Sequence, residues 1–529
     1  MKSRTNRFLR LSLLAAAITF VGNQSVRAAD LTWDNGAVTG SWNGTDANWS
    51  GSIWNNATPD NAIFNTDTGT ITLTEPITAG SFTFGLTNAN TTGSFAGSPL
   101  SISGNLLAVA DGNNNPGGPL LSFSNDVFVT GDVRIARRVV EFTSGTVTAN
   151  RVLSAGSWGR FLVNGAAVTI ANGIDDSIDG GNTMSVVLEG GSLATPFIKT
   201  TTAGFTGLPS DGVVLNGGTL IATAGSSDFI QSYQEPFNWG TRNNMGVGPD
   251  GTVIDTNGFD ITITKTMQDF GGAGVLTKSG SGTLTLTAAN SFSGGTTLNA
   301  GSLVLDGAGG GNSRLSGPLT VNPGTTVTLI NDDGTGLGFN SGAKITALAI
   351  NGGSVSSAGA MHIWNYPGGI TMTGGTLQSN GGTSDPNGPQ LEWVNADVTT
   401  LASADTATIG GRIRMRADGG ATGITFTVAD GDAATDLLVS AAITQASSGM
   451  VITKNGLGTM VLSGANNYSG STIVNEGTLS LTNPVLDDVA SVVIGNDAVM
   501  NLEFVGNDAI GSIEIDGSGP LPAGNYNSA

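Results

Sequence analysis

Residues 275–305 read VLTKSGSGTLTLTAANSFSGGTTLNAGSLVL, and residues 451–481 read VITKNGLGTMVLSGANNYSGSTIVNEGTLSL. The two stretches align without a gap, and about half of the positions are identical. Lys278 matches Lys454, Gly280 matches Gly456, Asn290 matches Asn466 and Gly294 matches Gly470, while Phe292 stands opposite Tyr468. Such self-similarity marks a repeat architecture. Within each copy apolar residues alternate with Thr, Ser or Asn, the period-two pattern of a half-buried strand. Glycines punctuate the short runs, where tight corners need positive φ.

Outward from these copies a shorter unit recurs: VVLEGGSLA from Val186, VVLNGGTLI from Val213, LAINGGSVS from Leu348 and ITMTGGTLQ from Ile370. Gly190 and Gly217 are 27 positions apart, and Gly352 and Gly374 are 22 apart. No stretch of comparable length carries a 3.6-residue apolar period. One strand–turn–strand unit about every 24 residues cannot bury its own apolar face, and stacking the units at ~4.8 Å gives one continuous core. The sequence therefore predicts an all-β, right-handed parallel β-helix, or β-solenoid, over residues 76–529. A set of antiparallel β-sandwiches is the second expectation.

Composition narrows the function. Gly makes up 81 of the 529 residues, charged residues are 11%, Cys is 0 and His is 1. A disulfide scaffold, a Cys-ligated metal and any site needing two histidines are excluded. Lys2, Arg4, Arg7 and Arg10 precede an apolar run from Leu11 to Gly22, and Val26-Arg27-Ala28-Ala29 follows. That is the plan of a secretory signal peptide, expected over residues 1–28. The run is short for ~30 Å of hydrocarbon, so the mature chain is expected to have no transmembrane segment. Loss of residues 1–28 removes five basic residues and no acid, taking the net charge from −20 to −25. Such a chain repels nucleic acid at long range. Residues 29–75 hold Trp33, Trp42, Trp49 and Trp54, and are expected to cap the solenoid. Stacking of sugar rings on these tryptophans is the alternative.

The run Gly-x-Gly-Thr-Leu-x-Leu-x-x-x-Asn-x-[Phe/Tyr]-Ser-Gly-x-Thr, with Gly-[Ser/Thr]-Leu after it, resembles the bacterial autotransporter-associated β-strand repeat proteins. It stands at Gly280 to Leu303 and Gly456 to Leu479, with Met460 in place of the first Leu in the second copy. The Trp-rich opening with Pro59 and Asp60-Asn61-Ala62-Ile63-Phe64 is similar to the N-terminal block of exported members. The resemblance implies a passenger-like β-helix that is exported and displayed or released. No run of ~10-residue alternating strands with aromatic girdles follows the last rung, so a C-terminal membrane barrel is expected to be lacking and separate export machinery to serve.

The candidate chemistry is thin. His362 lies in MHIWNYPGG beside Trp364 and Tyr366, with no second His and no Gly-x-Ser-x-Gly elbow for a triad. Carboxylates cluster at Asp175, Asp176 and Asp179, at Asp332 and Asp333, and at Asp430 and Asp432, all beside turn residues. They read as solvated turns, with loose Ca²⁺ binding as the one cofactor open to them. Arg412, Arg414 and Arg416 alternate in GGRIRMRADGG, which puts them on one face of a strand with Ile413 and Met415 inward. They form either an exposed face with nearby acids or a cationic strip for an acidic polysaccharide. Arg134, Arg137 and Arg138 suggest a weaker second strip. The run GAGVLTKSG from Gly272 puts glycines ahead of Lys278, but a strand follows, so no phosphate cradle is expected. No catalytic, cofactor-binding or metal residue is assigned. The expected function is an exported, non-enzymatic structural or adhesin-type protein, extracellular or at the cell surface, with the periplasm open as a second location. Extracellular polysaccharide or the cell surface is the expected partner. A polysaccharide lyase or hydrolase, and a carbohydrate-binding protein using the tryptophans, are the alternatives.

Overall fold

The computed structural model describes residues 28–85, 92–109, 120–156, 159–177, 184–201, 212–233, 244–307, 313–330, 337–338, 344–358, 361–380, 390–521 and 524–525. The segment expected as signal peptide lies outside them, apart from Ala28. Within them the chain is a parallel β-solenoid, and its single non-strand element is a short 3₁₀ turn, Asp418–Gly420.

The alternation in the sequence becomes the two sides of the wall. In the strand Thr283–Leu286, Leu284 and Leu286 point inward and are buried, while Thr283 and Thr285 lie outside. The next rung, Ser302–Asp306, lies in register, so that Leu284 meets Leu303 and Leu286 meets Leu305. An apolar column follows, through Val327, Val355, Leu377 and Ile409. In-register stacking of this kind keeps every rung's apolar face covered by its neighbours.

Three faces run along the rod. One ladder of a 27-stranded sheet continues from Ile77–Ala79 to Ser512–Ile515. A nine-stranded sheet covers the N-terminal part, from Asp30–Thr32 to Ile230–Tyr233, and an 11-stranded sheet takes over from Ile261–Ile263 to Val499–Leu502. The third face reappears as a short four-stranded sheet of Met361–Trp364, Leu391–Val394, Arg412–Met415 and Ala442–Gln445. Among the described strands pairing is parallel except for Ala509–Ile510 with Gly524–Asn525, which corrects the sandwich expectation. Rung length is uneven. Asn475 bonds the Asn455 amide one rung back across a sequence separation of 20, whereas Asn216 bonds Asp250 one rung on across a separation of 34.

Trp33, Trp42, Trp49 and Trp54 close the N-terminal end, each 4% exposed or less. Their rings contact one another at centroid separations of 4.7–5.3 Å, and Trp42 and Trp49 also meet Phe64. From there Phe95, Phe123 and Phe142 occupy matching positions on successive rungs and stack at 5.3 and 5.5 Å. Aromatic side chains carry the largest apolar area per residue, so they suit an end where one neighbouring rung is missing. The four indole faces are spent on one another and on the first rungs, and none lies open for a sugar ring to stack on.

Candidate functional site

The residues shared by the two long copies form a corner. Lys278 runs inward and is fully buried. Its Nζ donates to the carbonyl oxygens of Ser279 (2.8 Å) and Gly280 (2.7 Å), to Thr256 Oγ1 (3.1 Å) on the preceding rung, and to Ala300 O (3.0 Å) on the following one. Lys454 does the same with Asn455 O (3.2 Å), Gly456 O (2.5 Å) and Glu476 O (2.9 Å). Burial pushes each ammonium down to about 8, opposed by Asp255 at Lys278 and by Glu476 and Asp436 at Lys454. Gly280 has φ of +73°, and a Cβ there would run into the Asp255 carboxylate and the Asn257 nitrogen. The corner therefore needs both the glycine and the cation. Lys278 has no donor to spare for a phosphate.

Asn290 ties the same copy to its neighbours from the third face. Its Oδ1 accepts from Met267 N–H (2.8 Å), and its Nδ2 donates to Arg314 O (2.7 Å). Asn466 Oδ1 takes the equivalent bond from Ile443 N–H (2.8 Å). Phe292 and Tyr468 fill the core beside these amides, and Tyr468 Oη shares a hydrogen bond with Thr472 Oγ1 (2.7 Å). Burial raises the Tyr468 hydroxyl to about 12.

Charged side chains converge on the outside of the short sheet. Register aligns His362, Glu392 and Arg414 on successive rungs. Ile413 and Met415 point inward, as the alternation predicts. Glu392 is only 4% exposed. Its Oε1 accepts from Arg414 Nη1 (3.0 Å) and Gln390 Nε2 (2.7 Å), and its Oε2 accepts from Arg416 Nη1 (3.2 Å). Arg416 Nε also donates to Asp418 Oδ2 (2.6 Å), which raises the guanidinium and holds Asp418 below the ordinary carboxylate range. Arg412 is half-buried on the same strand. His362 is half-buried, and the carbonyl oxygen of its own residue accepts from Tyr366 Oη (3.0 Å).

The passenger-associated-transport-repeat family matches residues 276–305 and 452–481, the two corners just described. The chain carries two passenger-type repeats. The adhesin BmaC autotransporter of Brucella suis biovar 1 (strain 1330) is 26% identical over 333 residues, 54% of this chain and 10% of that protein. The aligned part thus spans about a tenth of that relative's length. No solved structure gives a significant match.

Backbone donors of these repeats also hold carboxylates of the preceding rungs. Asp260 Oδ1 accepts from Thr283 N–H (2.8 Å), and that bond holds it below the usual range. Asp269 is pushed up by its partial burial, but the N–H groups of Gly274 (2.7 Å) and Ser293 (2.8 Å) and the Ser293 hydroxyl (2.7 Å) outweigh this and lower it. Asp436 bonds Gly431 N–H (2.8 Å) and Thr459 N–H (2.7 Å). In each case a carboxylate on one rung takes a backbone donor from the next, a stronger role than solvated turn. Of the acids singled out by sequence, Asp176 is buried and accepts from Met184 N–H (2.9 Å), and Asp175 accepts from Ser177. Asp430 and Asp432 are exposed, and Asp179, Asp332 and Asp333 lie outside the described residues. Among the described residues no three His, Cys, Asp or Glu side chains come close enough to share a metal ion.

The second arginine strip is corrected. Arg138 is fully buried, donates from Nε to Val109 O (2.8 Å), and stacks 5.1 Å from the centre of the Phe84 ring. Burial pushes it down to about 10, with Asp67 opposing. It sits out of alternation because Arg137 takes a positive φ of 54° and turns the chain at that corner. Arg134 remains outside and pairs with Asp132 (3.9 Å), which also binds Arg151 (3.1 Å). Sequence reasoning missed Glu392 and Gln390. Only the register that sets Glu392 between His362 and Arg414 exposes them.

Proposed function

We propose that the chain is an exported, non-enzymatic solenoid that serves at the cell surface as a structural or adhesin-type rod. The observation that carries this reading is the way its titratable side chains are spent. Lys278, Lys454, Asp260, Asp269 and Asp436 bond backbone groups of adjacent rungs, which builds length and stiffness rather than a reaction centre. The passenger-type repeats and the adhesin relative support the same export context. No helix among the described residues is long and apolar enough to cross a membrane.

A β-helix lyase would need an acid and an arginine converging from adjacent rungs, and Glu392 with Arg414 has that arrangement. Yet both Glu392 oxygens are held by guanidinium groups, which leaves the carboxylate poorly placed to accept a substrate proton. Binding suits this geometry better than bond cleavage.

The test is fractionation of the native cell, with medium, surface, outer membrane and periplasm probed for the mature chain. The expected result is recovery in the surface or medium fractions. Confinement to the periplasm would overturn the adhesin reading.

A further inference from the structure

We infer that the outer face of the short sheet at Arg414 and Arg416 is a binding site for a carboxylate-bearing glycan. The choice of a glycan rests on the surface role proposed above; the anion chemistry rests on the geometry alone.

The outward column that begins at Thr283 on the neighbouring 11-stranded sheet is uncharged. Thr283, Ser302, Thr326, Ser354 and Thr376 follow one another in register there. On the short sheet the outward column carries Glu392 and Arg414 instead. The buried carboxylate of Glu392 fixes two guanidinium groups side by side, while the side chains of Arg414 and Arg416 stay 39% and 28% exposed. A guanidinium carries five N–H donors in a rigid fork. Glu392 engages Arg414 through Nη1, which leaves the rest of that fork for a partner. An arginine already held in place loses little freedom on binding, and a carboxylate matches its edge with two parallel hydrogen bonds.

Charge and hydrogen-bonding capacity point the same way. Arg414 and Arg416 stand on a chain whose net charge is −20. The acidic rod repels a long polyanion, which favours a short acidic unit at the exposed guanidinium edge. Gln390, 5% exposed, turns its Nε2 toward Glu392, and its Oε1 has no hydrogen-bond partner. A buried acceptor left unpaired is costly.

The test is calorimetric titration of the purified chain at low ionic strength with tetragalacturonate, maltotetraose and sodium sulfate. Tetragalacturonate is expected to bind and maltotetraose not to. Arg414→Gln, a change at a half-exposed side chain, should weaken tetragalacturonate roughly tenfold or more. Arg414→Lys should recover part of the loss, because it restores the charge without the fork. The melting transitions of both variants, matched to that of the native chain, separate binding from folding. The inference is overturned if the native chain binds no tetragalacturonate, if Arg414→Gln binds it as well as the native chain, or if maltotetraose binds equally. Sulfate binding as tight as tetragalacturonate would mark a free-anion site and also overturn it. None of these results bears on the fractionation experiment, so the two readings fail separately.

Discussion

Lys278 and Ala300 are 22 residues apart in the chain and one rung apart in space, and the ammonium of the first meets the carbonyl oxygen of the second at 3.0 Å. Lys454 and Glu476 repeat the relationship at the same separation and 2.9 Å. Lys278→Met keeps most of the side-chain volume and removes every donor, orphaning several buried carbonyls. A loss of about 1–3 kcal/mol is expected, since an unpaired buried acceptor carries its full desolvation cost. The same change at Lys454 should add independently, because the two sites share no partner. Denaturant unfolding measures the sum, and hydrogen exchange at Gly280, Ala300 and Glu476 shows whether the loss is local.

Tyr468 gives a pH signature. Its hydroxyl is buried and raised to about 12 from the ordinary 10.0. Below pH 10 the folded and unfolded chains both keep the proton, so this group adds no pH dependence. Between 10 and 12 the unfolded chain releases it and the folded chain retains it, so stability falls as pH rises. The drop attributable to this residue should be about 2 kcal/mol at pH 12. Tyr468→Phe installs the residue that Phe292 provides in the first copy, and it should abolish that component. Alkaline unfolding curves of the two proteins, subtracted, test this.

The carboxylate clamps predict an acid-side counterpart. Asp269 sits below its ordinary 3.8 because the bonds from Gly274 and Ser293 prevail over its burial. A depressed carboxylate stabilises the fold above pH 3.8, and that contribution disappears as pH falls through the folded value. Asp269→Asn should lower stability at neutral pH and flatten the acid limb of the profile. An unchanged acid limb would rule out this clamp.

At the N-terminal end, Trp49→Ala should cost about 3–5 kcal/mol, the usual range for emptying a large aromatic site in a packed core. The fluorescence that Trp49→Ala removes should be blue-shifted and shielded from acrylamide. It should also be insensitive to neutral oligosaccharides, since the four capping indoles present no face to solvent.

The wall of the solenoid was legible in the sequence because it depends on neighbours along the chain. Leu284, Leu286, Leu303 and Leu305 announce their inward positions by alternation, and Gly280 announces its corner. What crosses from rung to rung was not legible. The short rung between Asn455 and Asn475 and the long one between Asn216 and Asp250 destroy any fixed offset, so the column of His362, Glu392 and Arg414 cannot be found by counting. Lys278, Lys454 and Arg138 mislead for another reason. Cations are rarely fully buried, and only the unpaired carbonyls at a tight corner make the interior favourable for them. The tryptophans lay between these cases: their number marked an end, but only packing distinguished a plug from a binding platform.

The strands lie across the direction in which the rungs stack, and this governs how the protein yields to tension. A pull on its two ends loads the hydrogen bonds of one rung at a time, so extension proceeds by peeling. Each rung that lets go frees its own length of slack, roughly 70–120 Å of extended chain from the shortest rung to the longest. Lys278 and Lys454 fasten a rung to its successor through the backbone, so peeling must stall there until two rungs give way together. The repeats thereby act as brakes, and a stretching trace should show long uneven steps interrupted by two higher peaks.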